Sequence, residues 1–384
     1  MQMAETLRIA KLLAMSVFIT SGEAVGVSQE YVFIDRPFVP GPIYEASQSL
    51  SERCRYPPAV GFTVPAFLYS PARGAEGPSA SSRTGGVVLL HECMGIQRYV
   101  LQVAQALAST GSFTVLVLNV FRESAPQMTP VDARYVSAKA LAKEAEECMW
   151  KMQHLDWDAA VTDVGAAAAY LARSRNVTGV ATWGFSMGSA LSLLSASYGL
   201  PHVAAAIAFY GFPDNKTAPG AGRLFNPTNV RVPVLTEFGD MDPFVGFSSP
   251  SMASYATRAL TQARSVTAIV QHGCSHSFMN DEAWARFDGG EHVNETCRHD
   301  GLHSALKFLS QTLEVPLRQH ASLADGAVAF AGVHEQQSLP IFVLALAGIG
   351  VAAALVFMSL VAANRSSRSS LDPANNREPL MNNC

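Results

Sequence analysis

A serine flanked by glycines, in Gly184-Phe185-Ser186-Met187-Gly188, is the sharpest chemical motif in the chain. It follows an apolar run that predicts a strand and precedes a run that predicts a helix. A G-x-S-x-G turn in that position needs small residues at both ends, because the serine backbone is strained and its neighbours pack closely. The turn lifts the hydroxyl above the sheet at a helix N-terminus, so we predict that Ser186 is a nucleophile. The alternative is a tight turn whose serine only caps the helix.

A serine hydroxyl needs a base, and in folds built around this turn an acid and then a histidine follow the serine along the chain. Two predicted strand ends supply candidates: Asp240 and Asp242 after one strand, His272 and His276 after the next. The turn at Gly239 favours Asp242 as the acid, with a solvated turn carboxylate as the alternative. His276 is favoured as the base because His272 still belongs to the strand end. We therefore predict that His276 takes the serine proton while Asp242 orients the imidazole.

The segment His91-Glu92-Cys93-Met94-Gly95 follows another predicted strand and turns through a glycine. Backbone N–H groups at such a turn can bind the negative oxygen of a tetrahedral intermediate, and loss of one donor typically costs two to three powers of ten in rate. We predict that the N–H groups of Cys93 and Met187 are the two donors. The His91-Glu92 pair lacks the second histidine, four residues on, that a zinc-protease helix needs.

The elements that must position these residues alternate along the chain between apolar runs and helical patterns. Strands are predicted at Phe62–Tyr69, Gly86–His91, Phe113–Val120, Val177–Trp183, Val203–Tyr210, Val232–Glu237 and Val266–Gln271. Helices are predicted at Gln97–Ser109, Trp157–Arg173, Met187–Ala196, Met252–Ala263 and His303–Leu313. Strict alternation predicts an α/β fold with a mostly parallel sheet and helices on both faces.

Residues 341–363 near the C-terminus carry no charge and have one serine as their only strongly polar residue. As a helix these residues would span roughly 34 Å, enough for a hydrocarbon core of about 30 Å. A buried core helix is the alternative, but such a helix usually keeps a polar stripe. Arg365 and Arg368 follow the segment, whereas the upstream flank 335–338 has no basic residue, so we predict a transmembrane helix with a cytosolic tail.

The N-terminus fits this topology, because Arg8 and Lys11 precede the short apolar run Leu12–Ile19 in the manner of a signal peptide. The catalytic domain would then be lumenal or extracellular. The glycosylation sequons that begin at Asn176, Asn215 and Asn294 agree with that side of the membrane. The expected divisions are a signal peptide (1–24), a lead-in (25–57), the catalytic domain (58–315), a stalk (316–340), the transmembrane helix (341–363) and the tail (364–384).

Composition limits the partners. Charged residues make up 15% of the chain, hydrophobic residues 49%, and the net charge is −4. No basic stripe with interleaved aromatic residues is present, so nucleic-acid binding is not expected. Small residues four apart, Gly348 with Ala352 and Gly350 with Ala354, offer a possible homodimer contact between transmembrane helices.

The cysteines form no C-x-x-C pair, which argues against zinc-ribbon and thioredoxin sites. We expect no metal and no cofactor. If the domain is lumenal, disulfides are permitted, and Cys274 and Cys297 bracket a short loop that they could close. Sequence alone leaves the connectivity open.

Five features in order resemble the dienelactone hydrolase family of α/β-hydrolases, over roughly residues 58–315. They are His91-Glu92 with Gly95, the Gly184–Gly188 turn, Phe209-Tyr210-Gly211, the acid loop Gly239–Pro243, and His276-Ser277-Phe278. The resemblance implies hydrolysis of an ester or lactone through a covalent acyl-enzyme, without a metal or an organic cofactor.

The sequence departs from the best-known members of that family in two ways. They use a cysteine nucleophile whose thiol interacts with the glutamate after the histidine, whereas this chain has Ser186 beside Glu92. The role of Glu92 is therefore open; holding the oxyanion loop or a water are the options. Members that cleave dienelactone bind its carboxylate with arginines, one of them shortly after the catalytic histidine, and here residues 277–280 include none. Dienelactone itself is therefore not expected as the substrate.

The leading hypothesis is a membrane-anchored serine hydrolase that cleaves a small carboxylic ester or lactone. One alternative is a catalytically silent binding protein that kept the hydrolase fold. Another is a thioesterase or lipid hydrolase with an apolar cap between Arg122 and Gln153, to which Met128, Met149, Trp150 and Met152 would contribute, although such residues at helical spacing more often belong to a core.

Overall fold

The structure is a computed structural model that describes residues 17–19, 27–35, 63–71, 83–121, 148–175, 177–280 and 294–317. The chain divides into two units, residues 1–330 and 331–384, and all described residues lie in the first. The predicted transmembrane helix and tail, and residues 318–340 of the predicted stalk, fall outside the described residues. Within them, no helix combines the length and the apolar character needed to cross a bilayer.

The described strands form one sheet in the order β1-β2-β3-β5-β4-β6-β7-β8-β9. The first three strands pair antiparallel, and the six from β5 to β9 in that order run parallel. The bounds are β1 Val17–Ile19, β2 Val27–Asp35, β3 Thr63–Pro71, β4 Gly85–Leu90, β5 Phe113–Leu118, β6 Val180–Phe185, β7 Val203–Phe209, β8 Val234–Gly239 and β9 Val266–Gln271. The carboxyl ends of the parallel strands share one edge, where the predicted site residues begin.

Helices cover both faces of the sheet. They are α1 Arg98–Ser109, α2 Trp157–Ser174, α3 Met187–Ser197, α4 Pro219–Leu224, α5 Ser251–Ala259 and α6 Glu295–Thr312. All six residues of β4 are buried, and they alternate between two cores: Val87 and Leu89 pack with α1 and α6, whereas Val88 and Leu90 pack with α2 and α3. This double coverage is why the central strands are continuous apolar runs rather than alternating ones.

The predicted α/β class and mostly parallel sheet are confirmed. Several features differ from the sequence-based expectations. Strand β1, Val17–Ile19, lies inside the segment predicted as a signal peptide, yet it pairs antiparallel with β2 in the sheet. Strand β2 lies inside the segment interpreted as a lead-in; Ile34 is buried in the core, whereas Tyr31 and Phe33 are exposed. Helix α6 begins at Glu295 rather than His303, because the Asn294 side chain accepts a hydrogen bond from the Thr296 N–H and caps a polar first turn that the apolar pattern does not reveal.

A buried carboxylate in β8 makes the stability of this fold sensitive to pH. Glu237 is fully buried, and its carboxyl accepts hydrogen bonds from Gln271 Nε2 (2.8 Å) and from Ser304 Oγ. Burial raises the pKa of Glu237 to about 7, against the opposing effect of those two hydrogen bonds. Because the pKa of Glu237 is higher in the folded protein than in the unfolded chain, protonated Glu237 favours the folded state. This contribution to the free energy of unfolding is fully present below the unfolded pKa of about 4.5 and is lost as the pH rises through about 7.

We expect Glu237→Gln to remove this pH dependence. The free energy of unfolding of the wild type, relative to that of the variant, should fall by about 3 kcal/mol between pH 4.5 and pH 8. Each pKa unit by which the folded and unfolded states differ contributes about 1.4 kcal/mol. Urea titrations at several pH values measure it. Glu314→Gln, at an exposed carboxyl, is the matched control and should track the wild type. Parallel curves for wild type and Glu237→Gln would refute the assignment.

Candidate active site

Ser186 occupies a sharp turn between β6 and α3. Its backbone has φ 50° and ψ −111°, and the serine is 3% exposed. The flanking glycines are required by space: a Cβ on Gly184 would lie 1.9 Å from the Gly188 carbonyl oxygen, and a Cβ on Gly188 would lie 2.1 Å from that of Leu90. This is the strained strand-to-helix turn that the sequence motif predicted, and it directs the hydroxyl to the carboxyl edge of the sheet.

The structure brings Ser186, His276 and Asp242 into one hydrogen-bonded chain. Ser186 Oγ lies 3.1 Å from His276 Nε2, and His276 Nδ1 lies 2.7 Å from Asp242 Oδ2. A carboxylate only accepts hydrogen bonds, so Nδ1 carries the proton and Nε2 is left to accept from the serine. This is the arrangement in which an imidazole can act as the base for a hydroxyl.

The two rival residues pair with each other instead. His272 Nδ1 lies 2.6 Å from Asp240 Oδ2, and the His272 side chain is 99% exposed. Burial would raise the pKa of Asp240, but the hydrogen bond from His272 and those from the N–H groups of Cys274 and Gly273 outweigh it and lower the pKa. The Asp240–His272 pair therefore lies on the surface, away from the Ser186 hydroxyl.

The loop after β4 is held by a buried neutral histidine. His91 Nε2 accepts a hydrogen bond from the Val120 N–H (3.1 Å), so its proton must be on Nδ1, which donates to the Glu92 carbonyl (2.7 Å). Burial lowers the pKa of His91 to about 4, so the ring stays neutral at physiological pH. The Glu92 carbonyl also accepts from the Gly95 N–H (3.0 Å), which closes a turn around Cys93.

The two predicted oxyanion donors lie at the same edge. Met187 is the first residue of α3, where backbone N–H groups lack partners within the helix. Cys93 lies in the turn just described, three residues beyond β4. The close contact of Gly188 with the Leu90 carbonyl draws the start of α3 against the end of β4, and both Cys93 and Met187 are buried.

Two disulfides tie the loops that carry these residues. Cys274 pairs with Cys297, the closure that the sequence left open, and it joins the loop of His276 to α6. Cys93 pairs with Cys148, which begins the helical residues 148–154. The second pairing was missed because the two cysteines are 55 residues apart and only the tertiary structure brings them together.

Glu92 lies behind His276 in a buried polar cluster. Its carboxyl accepts hydrogen bonds from Ser277 Oγ (2.8 Å) and Asn280 Nδ2 (3.4 Å). Burial raises the pKa of Glu92, and the nearby charge of His276 and the donated hydrogen bonds only partly offset that effect. The hydroxyls of Tyr99 and Tyr210 lie close enough to interact with this carboxyl electrostatically, although neither meets hydrogen-bond geometry. Glu92 thus joins the loop after β4 to the loop that carries His276.

Aromatic rings surround the His276 imidazole. Phe244 meets it edge-on at 4.7 Å between ring centroids, Tyr210 at 5.4 Å, and Phe247 lies at 6.4 Å. Three of the described non-glycine residues with positive φ also belong to this edge: Ser186, Tyr210 and Ser277. Strained backbone of this kind concentrates at functional sites, where the surrounding packing holds it.

Some parts of the predicted site lie elsewhere or were not anticipated. Residues 122–147 of the predicted cap fall outside the described residues, and Met152 is buried in the core with α2. Ser248, a buried residue that hydrogen bonds to both Asp242 and His276, carries no sequence signal.

Within the described residues, no cluster of three or more histidine, cysteine or acidic side chains could hold a metal ion.

Comparison with known proteins shows which family the chain resembles. The model of the "Dienelactone hydrolase family" matches residues 72–313. A probable 2-oxo-3-(5-oxofuran-2-ylidene)propanoate lactonase of a Bradyrhizobium species is 25% identical over 209 residues, which cover 52% of this chain and 76% of that protein. Two similar solved structures are a dienelactone hydrolase-like promiscuous phosphotriesterase from metagenomic libraries (TM-score 0.44, 19% identity, 74% of this chain and 98% of that one) and a dienelactone hydrolase from Anabaena variabilis (TM-score 0.38, 16% identity, 72% and 93%).

Proposed function

The chain belongs to the dienelactone hydrolase family and is a hydrolase acting on ester bonds, and we propose that it is a serine member that cleaves carboxylic esters or lactones through an acyl-enzyme on Ser186. The observation that carries the proposal is the hydrogen-bonded chain from Ser186 Oγ through His276 to Asp242, with contacts of 3.1 and 2.7 Å. A serine is a weak nucleophile alone, and a base within hydrogen-bond reach is what activates it.

The proposed reaction has two steps. Ser186 Oγ attacks the carbonyl carbon while its proton passes to His276 Nε2, and the resulting oxyanion is bound by the N–H groups of Cys93 and Met187. The intermediate collapses, the C–O bond to the leaving group breaks, and His276 returns the proton to the departing alkoxide. Water then attacks the acyl-enzyme with His276 again as base, which releases the acid and restores Ser186. In a lactone the leaving alkoxide stays attached to the acyl group.

A serine nucleophile changes what Glu92 does. A hydroxyl has too high a pKa to be switched to its anion as a thiol can be, so we assign Glu92 to holding the loops that carry the oxyanion donor and the histidine. Its hydrogen bonds to Ser277 and Asn280 support this role. Asn280 is neutral and lies shortly after His276, where dienelactone-cleaving relatives carry an arginine. We therefore propose an acyl group without a carboxylate.

The membrane anchor and the topology are further parts of the proposal. The uncharged segment 341–363 supports a single transmembrane helix, and the basic residues after it support a cytosolic tail. The two disulfides support a lumenal or extracellular catalytic domain, because such bonds rarely persist in the cytosol. Extraction of membranes with alkaline carbonate, with protease protection of each end, tests both; release of the protein into the carbonate supernatant would refute the anchor.

Activity-based labelling tests the nucleophile. We expect a fluorophosphonate probe to label the folded full-length protein at Ser186, with mass spectrometry locating the adduct, and we expect Ser186→Ala to take no label. Ser254→Ala, at an exposed serine of α5, is the control and should label normally. If the folded wild-type protein is not labelled at Ser186, the proposal is refuted.

The same preparations separate the alternatives. Hydrolysis of p-nitrophenyl acetate that is lost in Ser186→Ala supports an esterase. Labelling without turnover over a broad panel of esters and lactones would favour a silent binding protein. Rates that rise steadily with acyl chain length would favour a lipid hydrolase or thioesterase.

A further inference from the structure

Ser248 lies against both partners of the proposed Asp242–His276 pair. Its hydroxyl oxygen is 2.9 Å from Asp242 Oδ1 and 3.0 Å from His276 Nδ1, and the residue is fully buried. It lies six residues after Asp242, between the acid loop and α5, and neither the family resemblance nor the chain order drew attention to it.

The backbone of the acid loop aims this hydroxyl at the carboxylate. The N–H groups of Ser248 and Ser249 both donate to the Phe244 carbonyl at 3.0 Å, so the chain folds back over Asp242. The Phe244 N–H donates to Asp242 Oδ1 at 3.0 Å. Asp242 Oδ1 therefore faces two donors, the Phe244 N–H and the Ser248 hydroxyl, whereas Oδ2 faces His276.

The chemistry of the groups settles where the hydroxyl proton lies. An ionised carboxylate only accepts, so the Ser248 O–H donates to Asp242 Oδ1. The lone pairs of Ser248 Oγ then face His276 Nδ1–H, which lies between two acceptors, Asp242 Oδ2 and Ser248 Oγ. Transfer of the serine proton to Nε2 makes the imidazole a cation, and hydrogen bonds to the charged form are the stronger ones.

We propose that Ser248 is a positioning residue of the hydrolytic reaction, which orients the Asp242 carboxylate and stabilises the imidazolium of His276 in the transition state. The proposal rests on the proposed function, since it requires His276 to be the base. Ser248 acts through Asp242 and His276, so its contribution should appear in kcat rather than in KM.

The other groups that face His276 stay in place when Ser248 is changed. They are the Asp242 carboxylate from the loop after β8, the Glu92 carboxyl from the loop after β4, and the Tyr210 ring from the end of β7, with Ser186 at Nε2. A change in the pH profile on altering Ser248 is therefore attributable to the lost hydroxyl.

The test compares Ser248→Ala with Ser249→Ala in the full-length protein, with p-nitrophenyl acetate as substrate. Ser249 is the neighbouring buried serine, and its hydroxyl bonds to that of Ser251 (3.0 Å) rather than to Asp242 or His276. We expect Ser248→Ala to lower kcat about tenfold with KM unchanged, since a hydrogen bond to a charged group is lost. The acid limb of kcat/KM should move several tenths of a pH unit lower, because the imidazolium loses an acceptor. Ser249→Ala should match the wild type in both.

The outcomes separate this inference from the proposed function. A Ser248→Ala enzyme with the kcat and pH profile of Ser249→Ala overturns the role of Ser248 while Ser186 still labels. A loss of kcat with an unmoved pH profile also overturns it, because a merely structural defect lowers the amount of active enzyme without altering the base. Should the alanine variant not fold, Ser248→Cys, which fills the space with a weak donor, takes its place with the same two readouts. Absence of Ser186 labelling in the wild type would refute the proposed function itself.

Discussion

Asp242→Asn should lower kcat by about 10⁴-fold, whereas Asp240→Asn should leave it within about twofold of the wild type. The first effect follows from the donors around the carboxylate. The Phe244 N–H and the Ser248 hydroxyl both point at Oδ1, so the asparagine carbonyl oxygen will occupy that position. Its NH₂ group then faces His276 Nδ1, which must accept instead of donate.

That reversal moves the imidazole proton to Nε2, where it faces the Ser186 hydroxyl. The histidine then has no lone pair for the serine proton, and the base is lost although every atom stays near its place. Asp240→Asn is the matched control, because it is the same chemical change two residues away, at a carboxylate paired with an exposed histidine. Steady-state hydrolysis of p-nitrophenyl acetate measures both variants. Equal losses in the two, or a loss only in Asp240→Asn, would mean that the acid has been misassigned.

Removal of the Cys93–Cys148 disulfide should impair both stability and turnover. For the double variant Cys93→Ser with Cys148→Ser we expect kcat to fall at least tenfold. The free energy of unfolding should fall by about 4 kcal/mol, from the entropy of a loop of 55 residues. The kinetic effect arises because Cys93 carries a proposed oxyanion donor, and a donor that shifts from its position loses much of the two to three powers of ten that it contributes.

The other disulfide provides the comparison. Cys274→Ser with Cys297→Ser opens a loop of 23 residues, so we expect a similar loss of about 3 kcal/mol in the free energy of unfolding. Its kcat should fall less, because His276 is also held by Asp242 and by the ring of Phe244. Denaturant titrations and kcat, corrected for the folded fraction, measure both. An undiminished kcat in the Cys93–Cys148 variant would show that the disulfide does not position the oxyanion loop.

Local patterns determined much of this molecule. The apolar runs of the central parallel strands predict the sheet because burial on both faces demands an unbroken apolar stretch, and every residue of β4, β5 and β6 is buried. The Ser186 turn was predictable because its motif is contiguous: a Cβ on Gly184 would clash with the Gly188 carbonyl inside the same turn. The second glycine, Gly188, is required by a tertiary contact, since its Cβ would clash with the Leu90 carbonyl of β4.

The sequence favoured Asp242 and His276 over Asp240 and His272, and the tertiary structure shows which acid meets which histidine. Asp240 extends the β8–β9 ladder, where its N–H donates to the Gln271 carbonyl (3.0 Å), and this holds it at the sheet edge opposite His272. Asp242 follows the turn in which its N–H donates to the Gly239 carbonyl (3.3 Å), and it faces the site instead. The pairing depends on the register of two strands whose histidine and acid are 34 residues apart, which no local pattern encodes.

The distance in sequence between interacting residues also explains why the roles of Ser248 and Cys148 were not predicted. Ser248 and Cys148 are ordinary residues in their own segments, and they gain significance only from partners brought close by the fold, His276 at 28 residues and Cys93 at 55. The sequence by itself determined the Ser186 turn and the α/β sheet, because the glycine-flanked motif and the apolar runs are each contiguous in the chain. Only the tertiary structure decided the contacts around the serine, because hydrogen-bond partners and disulfides depend on how distant loops meet at the carboxyl edge of the sheet.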